Sequence, residues 1–198
     1  MDKPAKNDYP LTELIARRWS PRAFDGQPVP TTALRSALEA ARWSASCFNE
    51  QPWRYIVARR DDPENFERAV DCLSDGNKPW APKAGALLIS VARTTFSHND
   101  KPNRHAWHDV GQASALFTIQ ALSEDLWVHQ MAGFSADRAR ESFGIPEGFE
   151  PVAMMAVGRQ GDASDLPEKI AERERAPRSR RTQDEFVFTG TWGRKAEW

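Results

Sequence analysis

The sequence predicts a single domain of the α+β class, built from mixed helices and strands. Three observations carry this prediction: a length of 198 residues, several short apolar runs of strand composition, and longer segments with helical spacing. At this length one core can bury about 70% of the unfolded surface. The chain has no internal repeat and no low-complexity segment, so residues 1–198 are expected to form one domain, with a core over about 11–190.

Helices are predicted where apolar residues recur every three or four positions behind a capping residue. Thr31 or Thr32 is a candidate cap for the second helix, and Asp62 followed by Pro63 opens the third. Ser135 caps a later helix that Gly144 closes. The predicted helices are a short one that follows Thr12 and runs into Arg17 and Arg18, and longer ones over 32–43, 62 to about 73, 107–125 and 135–143.

The helix predicted over 107–125 is apolar on nearly every side. Its apolar residues leave little polar surface: Val110, Ala113, Phe117 and Leu122, with Leu116, Ile119 and Ala121. A helix of this kind is usually buried in a core or against a second subunit.

Strands are predicted where short runs are rich in β-branched and aromatic residues. The run at 86–92 is apolar on both faces, as expected of a central strand. The last run, 185–188, stands alone behind a charged segment over 164–181, so it needs a sheet outside its own neighbourhood. The predicted strands are 53–59, 86–92, 126–131, 151–158 and 185–188.

Charge and composition exclude several classes of protein. With 27 basic and 28 acidic residues the net charge is −1, which argues against a nucleic-acid partner. No run approaches the ~20 apolar residues of a membrane span, and the polar start MDKPAKNDYP is not a secretory signal. Cys47 and Cys72 fit neither a zinc module nor a redox motif, and two free thiols are favoured over one disulfide. These features favour a soluble, cytoplasmic protein.

Four segments carry chemistry-bearing residues. RRWSPRAF at 17–24 and PRSRR at 177–181 offer the arginine forks and hydroxyl donors that suit one phosphate group. SASCFNEQPW at 44–53 places Asn49 and Gln51 in a connection, where their amides can bind a planar heterocycle. In HQMAGF at 129–134, Gly133 permits close approach of a flat ligand or simply makes a turn. Taken singly, the charged segments are more typical of solvated loops than of a binding site, and the amides are more typical of ordinary capping.

Taken together and in order, these segments resemble the nitroreductase family of FMN-dependent oxidoreductases. Residues 18–24 are similar to the family block R-[RH]-S-x-R-x-F, and residues 45–53 to P-S-x-x-N-x-Q-P-W. Residues 76–80 are similar to G-N-x-x-W, 109–113 to D-x-G-x-A, and 131–134 to x-x-G-F. A basic pair at Arg178 and Arg180 followed by an apolar strand completes the resemblance, which covers roughly 11–190.

The resemblance implies a central antiparallel or mixed sheet flanked by helices, and a homodimer with FMN at the interface. Arg18, Ser20, Arg178 and Arg180 would hold the phosphate, and Arg22 would reach the pyrimidine edge. Ser46 and Asn49 would come from the partner subunit, and the C-terminal strand would extend to that partner. The residues implied in FMN binding are Arg18, Trp19, Ser20, Arg22, Ser46, Asn49, Gln51, Asn77, Met131, Ala132, Gly133, Arg178 and Arg180.

The resemblance also implies an activity. NAD(P)H would reduce the flavin and leave, and a nitroaromatic, a quinone or a related small molecule would then take the electrons in a ping-pong cycle. Backbone at 131–133 would lie along one face of the ring. No protein acid or base is implied, so no catalytic residue is assigned. Two alternatives stay open: a flavin-binding protein without turnover, and a specialised branch of the fold such as reductive dehalogenation, flavin breakdown or azoline oxidation.

The chain departs from the family pattern at several positions. Trp19 stands where Arg or His is common, so a phosphate-side donor is lost. Ala45 and Cys47 replace a common proline and serine, and Ala132 stands where some members carry an acidic side chain. No metal site is expected, because His105 and His108 lack a convincing third ligand. Trp80 is the tryptophan best placed to reach the flavin, although a core role is favoured for it.

Overall fold

A computed structural model describes residues 1–197. Six α-helices and four β-strands are formed within this part of the chain. The helices are α1 Glu13–Arg17, α2 Thr31–Arg42, α3 Pro63–Asp71, α4 Ala106–Ser123, α5 Ala136–Phe143 and α6 Glu168–Arg175. The strands are β1 Trp53–Arg59, β2 Ala86–Arg93, β3 Trp127–Met131 and β4 Phe149–Gly158.

The strands form one antiparallel sheet in the order β1-β2-β4-β3. β2 and β4 are the central strands, which explains why β2 is apolar at nearly every position. Leu87 and Ile89 pack into the core on one face, and Ala86 and Leu88 into the core on the other. The predicted sheet flanked by helices is confirmed.

The two faces of the sheet carry different helices. α2 and α4 cover one face, where Leu34 and Ala37 of α2 join Val110 and Phe117 of α4 in one core. On the other face, Phe66 of α3 and residues of α5 and α6 join a second core. The sheet therefore has helices on both of its faces.

Two of the three helix N-caps predicted from the sequence are formed. The Asp62 side chain accepts a hydrogen bond from the Asn65 backbone N–H (3.4 Å), and Ser135 accepts one from Arg138 N–H (3.2 Å). Gly144 ends α5 with a left-handed φ of 63°, which glycine adopts without a Cβ clash. The predicted threonine cap of α2 is wrong, because that helix already begins at Thr31 behind Pro30, without a side-chain cap.

The prediction of a strand over 185–188 is wrong for the described chain. A short 3₁₀ turn occupies Gln183–Glu185, and Thr182 and Glu185 close it with reciprocal hydrogen bonds to backbone N–H groups. Phe188 forms only an isolated bridge with Lys195. The capping residues Thr182 and Glu185 favour a turn over an extended strand at this point.

The charged segment contains a helix that the sequence did not predict. α6 has only Ala171 and the carboxylate-bearing Glu174 buried, with Ile170 partly covered. Its apolar face is too narrow to give a helical pattern. Both cysteines are free thiols, as favoured. In residues 1–197 no helix is long and apolar enough to cross a bilayer.

Candidate functional site

A basic cavity of about 220 Å³ lies between the segment after α1 and the segment after α6. The predicted residues of both arginine-rich segments meet in its wall, although Arg18 and Arg180 are far apart in the sequence. Its lining residues are Lys3, Arg18, Trp19, Ser20, Arg22, Arg173, Ala176, Pro177, Arg178 and Arg180. Six cationic side chains surround one small cavity and give it the chemistry of an anion-binding site.

Two cations of this cavity, Arg18 and Arg178, are partly buried and lie close to other positive charges. Burial lowers the pKa of Arg18, and the positive charges of Arg178 and Arg180 lower it further. Burial and Arg180 likewise lower the pKa of Arg178. Arg178 donates to the backbone carbonyls of Lys3 (2.6 Å) and Ala16 (3.1 Å), which fixes it beside the loop that carries Arg18. Bound negative charge would relieve this repulsion.

Glu174 ties the two basic segments together. Its carboxylate is 1% exposed, and Oε1 accepts hydrogen bonds from the backbone N–H groups of Arg22 (2.8 Å) and Ala23 (3.1 Å). Oε2 lies 3.7 Å from the Arg22 guanidinium. α6 therefore holds the loop of Arg18, Ser20 and Arg22 in place through a buried carboxylate rather than through apolar packing.

A second cavity of about 360 Å³ continues from the first. Arg22 and Arg173 line both cavities, so the basic cavity and this cavity are adjacent. The predicted residues Asn77, Met131, Ala132 and Gly133 all line it, and so do Ser74, Gly76, Trp80, His129, Gln130 and Ile170. Cavities of this size are typical of small-ligand sites.

Gly133 is required by a close packing contact. A Cβ at this position would fall 2.6 Å from Ser74 Oγ and 2.7 Å from Asn77 Nδ2. Without that Cβ, the Asn77 amide donates to the Gly133 carbonyl (2.8 Å), and the Ser74 backbone N–H donates to the same oxygen (3.0 Å). The glycine thus lets the 74–77 segment approach the end of β3 and fixes the Asn77 side chain at the cavity wall.

His129 and Trp80 form the floor of the second cavity. Their rings lie 4.6 Å apart, and Trp80 also stacks on Phe24 at 6.4 Å. Trp80 is 1% exposed and belongs to the core, and it also lines this cavity. Burial lowers the pKa of His129 to about 4, against the opposing effect of its Nδ1 hydrogen bond with the Pro21 carbonyl (2.9 Å). The imidazole is therefore neutral at pH 7, with its Nδ1–H donating to Pro21.

A third cavity of about 320 Å³ adjoins the other two through shared residues. Arg18 and Ser20 line it together with the basic cavity, and Gln130 lines it together with the second. Gln130 is oriented by hydrogen bonds from its Nε2 to Thr118 Oγ1 (3.1 Å) and the Ser114 carbonyl (3.3 Å) of α4. The far wall of the combined groove is thus the C-terminal half of α4.

The segment of Ser46, Asn49 and Gln51 lies away from this groove within the chain and lines none of the three cavities. Its Cys47 backbone N–H donates to Asp109 in the first turn of α4 (3.1 Å). Along the helix axis Asp109 is roughly 13 Å from Thr118, at 1.5 Å per residue. One chain therefore does not bring these three predicted residues together with the other ten.

This segment also has an unusual backbone. Phe48, Asn49 and Gln51 have φ values of 52°, 55° and 50°, in the left-handed region that residues other than glycine rarely adopt. Ser46 Oγ accepts from the Gln51 backbone N–H (3.0 Å), and Gln51 Nε2 donates to the Asn49 carbonyl (2.9 Å). Backbone strain of this kind is concentrated at active sites and ligand-binding sites of proteins.

The comparison with known proteins agrees with this geometry. The nitroreductase family profile matches residues 15–159, about three quarters of the chain. The chain belongs to the nitroreductase family. The family predicted from the sequence blocks is confirmed.

Similar proteins cover most of the chain. A crystal structure of an oxidoreductase containing FMN is 38% identical, with a TM-score of 0.90 and 96% of each chain covered. An uncharacterized 15.4 kDa protein of Mycolicibacterium smegmatis is 37% identical, over 71% of this chain and 97% of that one. A Thermus thermophilus protein named NADH dehydrogenase is 27% identical, over 72% of this chain and 82% of its own length.

Several residues of this nitroreductase-family groove were not found from the sequence. Arg173 lies within the noted run of arginines and lines two cavities, but spacing did not single it out. Lys3 and Glu174 have no local pattern that distinguishes them from solvated or core residues. His129 and Gln130 stand in the HQMAGF segment, but the sequence assigned no role to either side chain. Among residues 1–197 no group of three or more His, Cys, Asp or Glu side chains is arranged to hold a metal ion.

Proposed function

We propose that this protein is an FMN-dependent oxidoreductase that takes electrons from NAD(P)H and passes them to quinones, nitroaromatics or related small acceptors. The observation that carries the proposal is the continuity between the basic cavity and the cavity beside Met131–Gly133. A molecule with a phosphate at one end and a flat ring at the other matches that groove. The 38% identical structure with FMN supports the choice of cofactor.

The basic cavity suits the phosphate of FMN. A phosphomonoester carries a charge of about −1.5 to −2 at pH 7 and has three acceptor oxygens. Arg18, Arg178 and Arg180 would bind those oxygens, with Ser20 as a neutral donor. Trp19 would form the wall behind them, since its ring is 5% exposed and packs edge-on against Trp127 at 5.9 Å.

The second cavity suits the flavin ring. Asn77 would offer an amide at the ring edge, and the backbone at Met131, Ala132 and Gly133 would lie along one ring face. Arg22, shared by both cavities, would lie at the pyrimidine edge. When bound, FMN supplies the redox chemistry, namely uptake of a hydride equivalent from a nicotinamide and its delivery to an acceptor.

The chain's own residues bind and orient rather than transfer protons. His129 is neutral at pH 7, and its Nδ1–H is engaged by the Pro21 carbonyl. Ala132 brings no ionisable group to the exposed end of β3. We therefore assign no catalytic acid or base. The Thermus relative named NADH dehydrogenase supports a nicotinamide as the electron donor.

We propose further that the functional unit is a homodimer in which Ser46, Asn49 and Gln51 reach the partner's FMN. Large apolar side chains exposed on or next to α2 and α4 support this: Trp43 (71%), Phe48 (82%), Trp107 (46%) and Leu116 (42%). Exposed apolar area of this kind marks an interaction surface. The position of residues 46–51, away from the groove of their own chain, also fits a role in a second chain.

The test begins with the purified protein. We expect FMN in the ultrafiltrate of heat-denatured protein and bleaching of its visible absorbance by NADH or NADPH without oxygen. Addition of a quinone should restore the absorbance. A protein that neither contains nor takes up FMN would overturn the proposal. A protein that binds FMN but is not bleached by either nicotinamide would be a flavin-binding protein without this turnover.

A further inference from the structure

The segment before α1 is fastened to the basic cavity. The Ala5 backbone N–H donates to the Ala16 carbonyl (2.8 Å), and the Lys3 carbonyl accepts from the Arg178 guanidinium (2.6 Å). Lys3 is thus held between the end of α1 and the segment after α6. Its position is defined by contacts with two distant parts of the chain.

The Lys3 ammonium lies in the wall of the cavity with part of its donor capacity free. Nζ donates to the Glu174 carbonyl (2.7 Å) and lies 4.5 Å from the centroid of the Trp19 ring. An ammonium has three donor hydrogens, and the backbone carbonyl takes one. The ring face favours the cation but removes no donor. Two hydrogens remain for an anion in the cavity that Lys3 lines with Arg18, Ser20 and Arg180.

The local electrostatics also favour an anion beside Lys3. Burial lowers the pKa of Lys3, the Glu174 carboxylate opposes this effect, and the charges of Arg178 and Arg22 add to the lowering. Glu174 is already engaged by two backbone N–H groups and lies near the Arg22 guanidinium. It therefore neutralises only part of the surrounding positive charge. Trp19, which separates Arg18 from Ser20 in the sequence, adds no charged donor to that wall.

We propose that Lys3 is a further ligand of the FMN phosphate, carried to the cavity by residues 1–6 and placed over Trp19. The inference rests on the proposed FMN function. It assigns a cofactor contact to a segment outside the matched family region of residues 15–159. Lys3 would supply a compact charge where the arginines supply planar forks.

The experiment compares FMN with riboflavin, which has the same ring but no phosphate. Dissociation constants of both are measured by quenching of flavin fluorescence for wild type, Lys3→Met, Lys3→Arg and Lys6→Met. Lys6 is exposed in the same segment and serves as the matched control. We expect Lys3→Met to weaken FMN about tenfold, as loss of a charged hydrogen bond does. Riboflavin binding should not change, Lys3→Arg should retain most of the FMN affinity, and Lys6→Met should resemble wild type.

Two results would overturn the role of Lys3. One is unchanged FMN affinity in Lys3→Met. The other is equal weakening of FMN and riboflavin, which would indicate that residue 3 only supports the fold. A thermal unfolding curve for each apo variant identifies that second case. If wild type binds neither flavin, the proposed function itself fails, which is a different outcome from either of these.

Discussion

Residues 17–24 and residues 46–51 both connect elements next to the sheet, and both carry predicted flavin contacts. The first segment is held by Glu174, which binds the backbone of Arg22 and Ala23, and by Arg178, which binds the Ala16 carbonyl. The second is held mainly by its own hydrogen bonds and by Asp109, with three left-handed residues. The basic cavity is thus organised within one chain, whereas the second segment has a strained backbone and lies away from that cavity.

Of the changes considered, we expect removal of the Glu174 carboxylate to have the largest effect. Glu174→Ala leaves the backbone N–H groups of Arg22 and Ala23 without their acceptor, and we expect the free energy of unfolding to fall by about 4 kcal/mol. Urea unfolding followed by tryptophan fluorescence measures it. Glu172→Ala, on the exposed face of the same helix, is the control and should change stability by less than about 0.5 kcal/mol. Equal effects of the two substitutions would contradict the anchoring role.

Arg18→Ala and Arg180→Ala test the basic end directly. Each removes a charged donor from the cavity, and we expect Arg18→Ala to weaken FMN about a hundredfold, equivalent to about 3 kcal/mol. Arg180→Ala should weaken it less, because its side chain is the more exposed. Arg35→Ala, exposed on α2, is the control for loss of one positive charge. Flavin content equal to wild type in both cavity variants would refute the phosphate assignment.

The neutral state of His129 predicts how the stability of the protein depends on pH. The native pKa of about 4 lies below the unfolded value of about 6.5, so the unfolded chain binds the extra proton. This contribution to stability is complete above pH 6.5 and is lost as the pH falls towards 4. Between pH 7 and pH 5, wild type should lose about 2 kcal/mol more than His129→Asn, which keeps a donor for Pro21. Urea titrations of both proteins at saturating FMN measure the difference, and parallel pH profiles would show that His129 is not buried neutral.

The second segment is tested by mixing subunits, with a smaller expected effect. Asn49→Ala alone should weaken FMN about fivefold, or about 1 kcal/mol. In mixed dimers of Arg18→Ala and Asn49→Ala chains, a site shared between subunits carries either both substitutions or neither. Half of the sites in those mixed dimers should therefore recover wild-type affinity. If both residues act within one chain, every site carries one substitution and no site recovers.

The sequence predicted the fold well where the signal is local. β1 has the predicted bounds, and β2 and α4 differ from prediction by one or two residues at their ends, because apolar periodicity defines them. α6 was missed, since it is held by a buried charge rather than by an apolar face. The strand predicted at 185–188 failed because capping hydrogen bonds at Thr182 and Glu185 favour a turn.

The candidate site likewise contains residues that the sequence predicted and residues that it did not. Arg18, Arg178 and Gly133 were predicted as site residues because their residue types and order resemble those of a family. Lys3 and Glu174 act through contacts across more than a hundred and fifty positions, between Glu174 and Arg22 or Lys3 and Arg178. No local pattern encodes such pairs, so they emerge only from the folded chain.

The junction of α6 with the 17–24 segment has a consequence for how the protein loses its cofactor. Few apolar side chains hold α6, and a helix of this kind opens at a lower free energy than the sheet. Undocking of α6 removes Arg173 from the cavity and Glu174 from the loop of Arg22 while β1–β4 stay paired. On heating we therefore expect flavin release before the cooperative loss of strand structure, and free FMN in solution to delay that release by mass action.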